Sequence, residues 1–74
     1  MNIDIEVFGQ LYQNKQRRQA LEVMGSTLIR DVVKKLGLKE EEIGLITVDG
    51  VQSELEDLVH PGSRLCFFPP MSGG

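Results

Sequence analysis

Residues that build covalent cross-links and metal sites are scarce: the 74-residue sequence has one cysteine, one histidine and no tryptophan. A single thiol cannot close an internal disulfide. With one imidazole beside it, it also falls short of the ligand set of a structural zinc site. Basic residues are outnumbered, eight Lys and Arg against eleven Asp and Glu, giving a formal net charge of −3. The basic stripe needed to hold nucleic acid is therefore absent. No apolar run approaches the roughly 20 residues that span a bilayer. The opening Met1-Asn2-Ile3-Asp4-Ile5-Glu6 is acidic and alternating, unlike a signal or transit peptide. There is no internal repeat, no linker and no glycine-rich phosphate loop. The expectation is one soluble, cytoplasmic domain spanning 1–74, monomeric when free, with no nucleic-acid or membrane partner.

What is present is ordinary globular material, 41% hydrophobic. Ile3, Ile5 and Val7 alternate with Asp4 and Glu6, the period of a strand with one wet face. Gly9 to Gln16 is polar apart from Leu11 and Tyr12, and reads as the turn of a loose hairpin. The return strand is expected at about Arg18 to Val23, with Leu21 and Val23 inward and Glu22 outward. After Met24-Gly25 the period changes, and Leu28, Ile29, Val32, Val33 and Leu36 form a helical stripe. Ser26 or Thr27 is placed to cap its first amides. Lys34 and Lys35 suit the negative end of the helix dipole, and Gly37 suits a left-handed stop.

Lys39 to Glu42 reads as a charged connector of about one turn. Leu45 to Val48 and Val51 to Glu54 flank Asp49-Gly50, a strong tight-hairpin signal. Leu55 to Ser63 reads as irregular, with a turn at Pro61-Gly62. Arg64 to Phe68 is the final strand, stopped by Pro69-Pro70 because neither proline can donate to a ladder. One helix crossing a mixed sheet of four to five strands covers one face and leaves the other open.

The last residues form a candidate site by themselves. Beyond the final strand come Pro69, Pro70, Met71, Ser72, Gly73 and Gly74, a tail of about 69–74. Extended at about 3.3 Å per residue, it reaches roughly 20 Å. That length can thread a partner's cleft and set the Gly74 carboxylate in a buried site. Glycine, lacking a Cβ, passes a narrow channel and leaves the acyl carbon open to attack. A carboxylate is a poor electrophile, and activating it through the α-phosphate of ATP needs a metal ion and cationic clamps. This chain has no phosphate loop and no plausible clamp, so another protein must supply them.

Other residues invite sharper and plainer readings. Strand alternation puts Leu65 and Phe67 on one side and Arg64, Cys66 and Phe68 on the other. Arg64 resists burial, so its side is the open one, and Phe68 is expected there as an exposed anchor for a partner. Cys66 reads as a small hydrophobe in a strand rather than a nucleophile. His60 reads as a solvated turn residue, and the two make no believable dyad. Glu40-Glu41-Glu42 reads as a solvated face, with steering toward a basic partner as the alternative. Lys15, Arg17 and Arg18 are too small a basic cluster for RNA. Met71 is either a plug for a partner's pocket or a spacer.

The closing stretch from Arg64 to Gly74 resembles the ThiS/MoaD family of ubiquitin-like sulfur carriers. Val7-Phe8-Gly9-Gln10-Leu11, a helix beginning at Thr27 and the Leu45 to Gly50 hairpin fit as well. The resemblance implies an α+β, β-grasp fold and a C-terminal thiocarboxylate. An adenylating enzyme related to MoeB and ThiF, using ATP and magnesium, would activate the glycine, and a sulfur donor would displace AMP. Carried over, Gly74 is the modified residue and Gly73 its required neighbour, with Phe68, Pro69, Pro70, Met71 and Ser72 meeting partners. No cofactor is bound by the chain itself, which is a co-substrate rather than an enzyme.

Phe67-Phe68-Pro69-Pro70 ahead of Gly-Gly is most similar to the small subunit of molybdopterin synthase. The sequence departs from the family at Pro61-Gly62-Ser63, where Asp-Gly-Asp is common. Sulfur would pass to a synthase, the molybdopterin synthase large subunit first and thiazole synthase second, with tRNA or another metal-cofactor route left open. The alternatives are a ubiquitin-like modifier joined to lysines through Gly74 and a plain interaction module.

Overall fold

The computed structural model describes residues 1–12 and 16–71. Strand β1 (Asn2–Val7) follows from the alternation of Ile3, Ile5 and Val7, all three buried. A 3₁₀ turn at Gly9–Tyr12 then carries Leu11 into the core. Strand β2 (Arg18–Glu22) returns antiparallel to β1, pairing Glu6 with Arg18 and Asn2 with Glu22.

Helix α1 (Ile29–Leu36) buries Ile29, Val32 and Val33. It starts two residues later than the Thr27 expected by resemblance, because Thr27–Leu28 instead form a short strand, β3. The anticipated hydroxyl cap does not form. The Thr27 hydroxyl donates to Gly25 O, and Ser26 Oγ meets His60 Nδ1. The first helical amides are satisfied from elsewhere: Ile29 N–H donates to Asp57 O and Arg30 N–H to Leu55 O, both at 3.0 Å. Leu28, assigned above to the buried stripe, is exposed as a result. Gly37 ends the helix in the left-handed region, at φ 74°.

A second 3₁₀ turn, Glu40–Glu42, leads to strand β4 (Leu45–Val48) and strand β5 (Val51–Ser53). Their turn has φ 50° at Asp49 and 84° at Gly50, the positive pair of a type I′ hairpin. The stretch read as irregular contains one more short strand, β6 (Leu58–Val59), antiparallel to β3.

Strand β7 (Arg64–Phe68) enters the middle of the sheet. The sheet order is β2-β1-β7-β4-β5, with β7 parallel to β1 and antiparallel to β4. A parallel pair needs a crossover, here the path through α1 and the second hairpin. Ile3, Ile5, Val7, Ile46, Leu65 and Phe67 join the helix residues in one core. The other face has no helix over it among the described residues. No described helix is long and apolar enough to cross a membrane.

Candidate functional site

Because β7 runs between β1 and β4, every side chain on its open face has neighbours on both sides. The registers set Glu6 beside Cys66 and Thr47 in one row, with Leu45 beside Phe68 in the next. Phe8, just past β1, extends the second row, its amide donating to Phe67 O at 2.9 Å. The Phe8 and Phe68 rings stack with centroids 4.5 Å apart and planes 7° from parallel. Arg17 lies over Phe8, 5.3 Å from the ring centroid, in cation–π range.

Phe68 was expected as an exposed anchor. It lies on the open face but is half-buried, since Phe8 covers one side of its ring. The usable apolar surface is therefore the row Phe8, Phe68 and Leu45, more than a single side chain.

The row below corrects the reading of Glu6 as a wet-face residue. Glu6 is only 5% exposed, although it shares that face. Arg64 Nη2 approaches Glu6 Oε1 at 3.0 Å, while Arg18 Nε and Arg17 Nε stand 3.3 and 3.5 Å from Oε2. Three solvated guanidiniums fold over one carboxylate and close it off from water. A buried carboxylate needs such partners, and here β1 brings Glu6, β2 and β7 bring Arg18 and Arg64, and the segment before β2 brings Arg17. Lys15, the remaining residue of the expected basic cluster, lies outside the described residues.

Beyond Phe68 the chain leaves the sheet. Phe68 O accepts from Gly44 N–H at 2.8 Å, the last backbone bond before the prolines. Pro69 is half-buried and Pro70 exposed, and Met71 stands 93% exposed. Gly9, Gln10, Phe68, Pro69, Pro70 and Met71 line an open groove of about 650 Å³. Ser72, Gly73 and Gly74, the candidate chemical end of the tail, lie outside the described residues.

Of the remaining candidates, Glu41 and Glu42 border the exit, lining a hollow with Pro69 and Pro70. Cys66 is a half-buried strand residue. His60 is exposed, hydrogen-bonded to Ser26. In the acidic turn, Glu40 pairs with Arg30, which also reaches Glu56 at 2.8 Å. Sequence reasoning missed Phe8 as part of the site, and it missed the clasp on Glu6. Periodicity within one strand carries no signal for a contact made by three.

Comparison with known proteins agrees with this architecture. The family model described as Mut7-C ubiquitin matches residues 3–73. Among solved structures, SAMP1 of Haloferax volcanii, a small archaeal modifier protein, aligns over 100% of both chains at 21% identity and a TM-score of 0.74. Urm1 of Trypanosoma brucei aligns over 99% of this chain and 95% of its own, at 17% identity and a TM-score of 0.68. A chain from the complex of subunits 1 and 2 of the molybdopterin-converting factor of Helicobacter pylori aligns over 100% of both chains, at 18% identity and a TM-score of 0.65. At these identities the structures speak to the β-grasp fold. No match was found among curated proteins. The family match, spanning nearly the whole sequence, carries the assignment: the chain belongs to the Mut7-C ubiquitin family, ubiquitin-like domains of the ThiS/MoaD type.

Proposed function

We propose that this protein is a sulfur carrier whose reactive group is the α-carboxylate of Gly74. One observation supports the reading above others: the central strand ends at Phe68 and its continuation leaves the sheet through two prolines to a solvent-exposed Met71. A tail presented in this way can enter another protein's active site while the β-grasp body remains folded outside it.

In the proposed reaction a carboxylate oxygen of Gly74 attacks the α-phosphorus of ATP, and pyrophosphate leaves. A hydrosulfide equivalent from a sulfur donor then attacks the acyl carbon, the C–O bond to AMP breaks, and AMP departs with that electron pair. The product is a C-terminal thiocarboxylate. ATP and magnesium belong to the adenylating enzyme, of the MoeB/ThiF type, so the chain is a protein co-substrate. The Phe8, Phe68 and Leu45 row beside the exit is the surface on which that enzyme docks. The carried sulfur goes to a cofactor synthase, molybdopterin first and the thiamine thiazole second.

The second reading is a modifier joined to lysine amines through the same acyl-adenylate. It is favoured by the likeness to a small archaeal modifier protein. Purified chain, adenylating enzyme, ATP and magnesium test the shared first step. Pyrophosphate release that disappears when Gly74 is deleted is expected, and release unaffected by that deletion contradicts both readings.

A further inference from the structure

Two glycines face the prolines of the tail stem from different elements. Gly9 follows β1, and Gly44 precedes β4. A Cβ built on Gly44 would stand 2.7 Å from Pro70 N and 2.8 Å from Pro69 O, and it would also meet Pro70 Cα. Those are backbone atoms, which no rotamer change can move aside. Gly44 is not among the residues of positive φ, so the need for glycine here is one of space alone. A Cβ on Gly9 would stand 2.7 Å from Pro69 Cγ and 3.2 Å from Cδ, with φ at 61° as a separate constraint. Between these contacts, the Gly44 amide holds Phe68 O.

We infer that Gly9 and Gly44 form a cradle that fixes the direction in which the tail leaves the domain, with Gly44 a positioning residue for delivery of Gly74. The inference rests on the carrier reading for what is delivered, and on the packing of the stem for how. Both proline φ angles are locked near −65°, so the stem transmits a tilt instead of absorbing it. Where a partner's cleft draws the four residues beyond Pro70 taut, at about 3.3 Å each they span about 13 Å, and a stem tilted by about 20° offsets their start so that the end falls some 4–5 Å aside. Attack on a phosphate needs reacting atoms about 3–3.5 Å apart, and a misplacement of about 1 Å can cost on the order of 100-fold in rate. The cradle sets that aim before the partner is met. A bare backbone at position 44 is what lets Pro69 and Pro70 lie close against the start of β4.

Gly44→Ala tests this, with Gly25→Ala as control, because a Cβ at Gly25 finds nothing within 4 Å. Two readouts are taken on the purified chain. Nuclear Overhauser contacts report proximity between position 44 and Pro70, and between Leu45 and Phe68. ATP–pyrophosphate exchange with the adenylating enzyme reports kcat and KM. For Gly44→Ala the Leu45 to Phe68 contacts persist, the contacts to Pro70 are lost, and kcat falls on the order of 10- to 100-fold while KM holds. Retained contacts to Pro70, or a kcat equal to that of Gly25→Ala, overturns the inference.

If Gly44→Ala does not fold, Pro70→Gly keeps both glycines and removes the stiffness. It must lower kcat in the same way, and an unchanged kcat overturns the inference. No exchange with the unaltered chain would count against the carrier reading. The contacts to Pro70 would then decide the cradle by themselves.

Discussion

Glu6 keeps a carboxylate below the surface of the open sheet face because three guanidiniums reach it from solvent. Replacing it with glutamine removes the charge while keeping the shape, and leaves Arg17, Arg18 and Arg64 to repel one another. Charge-assisted hydrogen bonds to a buried group are worth about 1.5–3 kcal/mol, but these arginines are largely exposed and screened. The expected loss for Glu6→Gln is therefore about 1–2 kcal/mol, read from urea unfolding. Arg17 also covers Phe8, so the same variant loosens the ring stack beside the tail. Phe68→Ala should weaken binding to the adenylating enzyme by about 2 kcal/mol in calorimetry while the fold persists. Unchanged affinity contradicts the docking role given to that row. Alternation along β7 was enough to place Arg64, Cys66 and Phe68 together. It could not reveal the clasp or the Phe8 stack, since those need the order of three strands far apart in sequence.

At the scale of elements, α1 is an eight-residue helix that would not hold alone, because isolated helices this short are marginal in water. Its start is secured by the carbonyls of Leu55 and Asp57 in place of a capping hydroxyl. Ser26→Ala should therefore shift stability by less than about 0.5 kcal/mol, compared with about 1 kcal/mol for loss of a true cap. Its end depends on the left-handed Gly37, so Gly37→Ala should cost about 1 kcal/mol in the same unfolding experiment. The helix stripe, the Asp49-Gly50 hairpin and the last strand were all legible, since each carries its own periodicity or turn chemistry. The β3–β6 ribbon was not. Two-residue strands have no period, and this pairing exists only because the segment after β5 folds back over the start of α1.

At the scale of the molecule, the topology divides the labour. The core and helix occupy one side of the sheet, and the parallel β1–β7 pair sends Pro69 to Met71 out beside the Phe8, Phe68 and Leu45 row. On the proposed carrier reading, chemistry at the tail would leave the body free to present a docking surface. One residue added after Gly74 should abolish adenylation and leave thermal unfolding unchanged, because the lesion is at the reacting atom only. While Ser72 to Gly74 lie outside the described residues, the exit of the chain after β7 was legible from the stopping power of two prolines. The glycines that seat its stem were not, because nothing in a sequence marks which glycine another backbone will approach.

The central claim, that this chain works through the carboxyl carbon of Gly74, is tested most directly by its intact mass when isolated from its native host under non-reducing conditions. A chain ending at Gly74 with one oxygen replaced by sulfur is the predicted result. A chain that continues past Gly74, or one that ends there and stays unmodified after incubation with ATP and host extract, would contradict it.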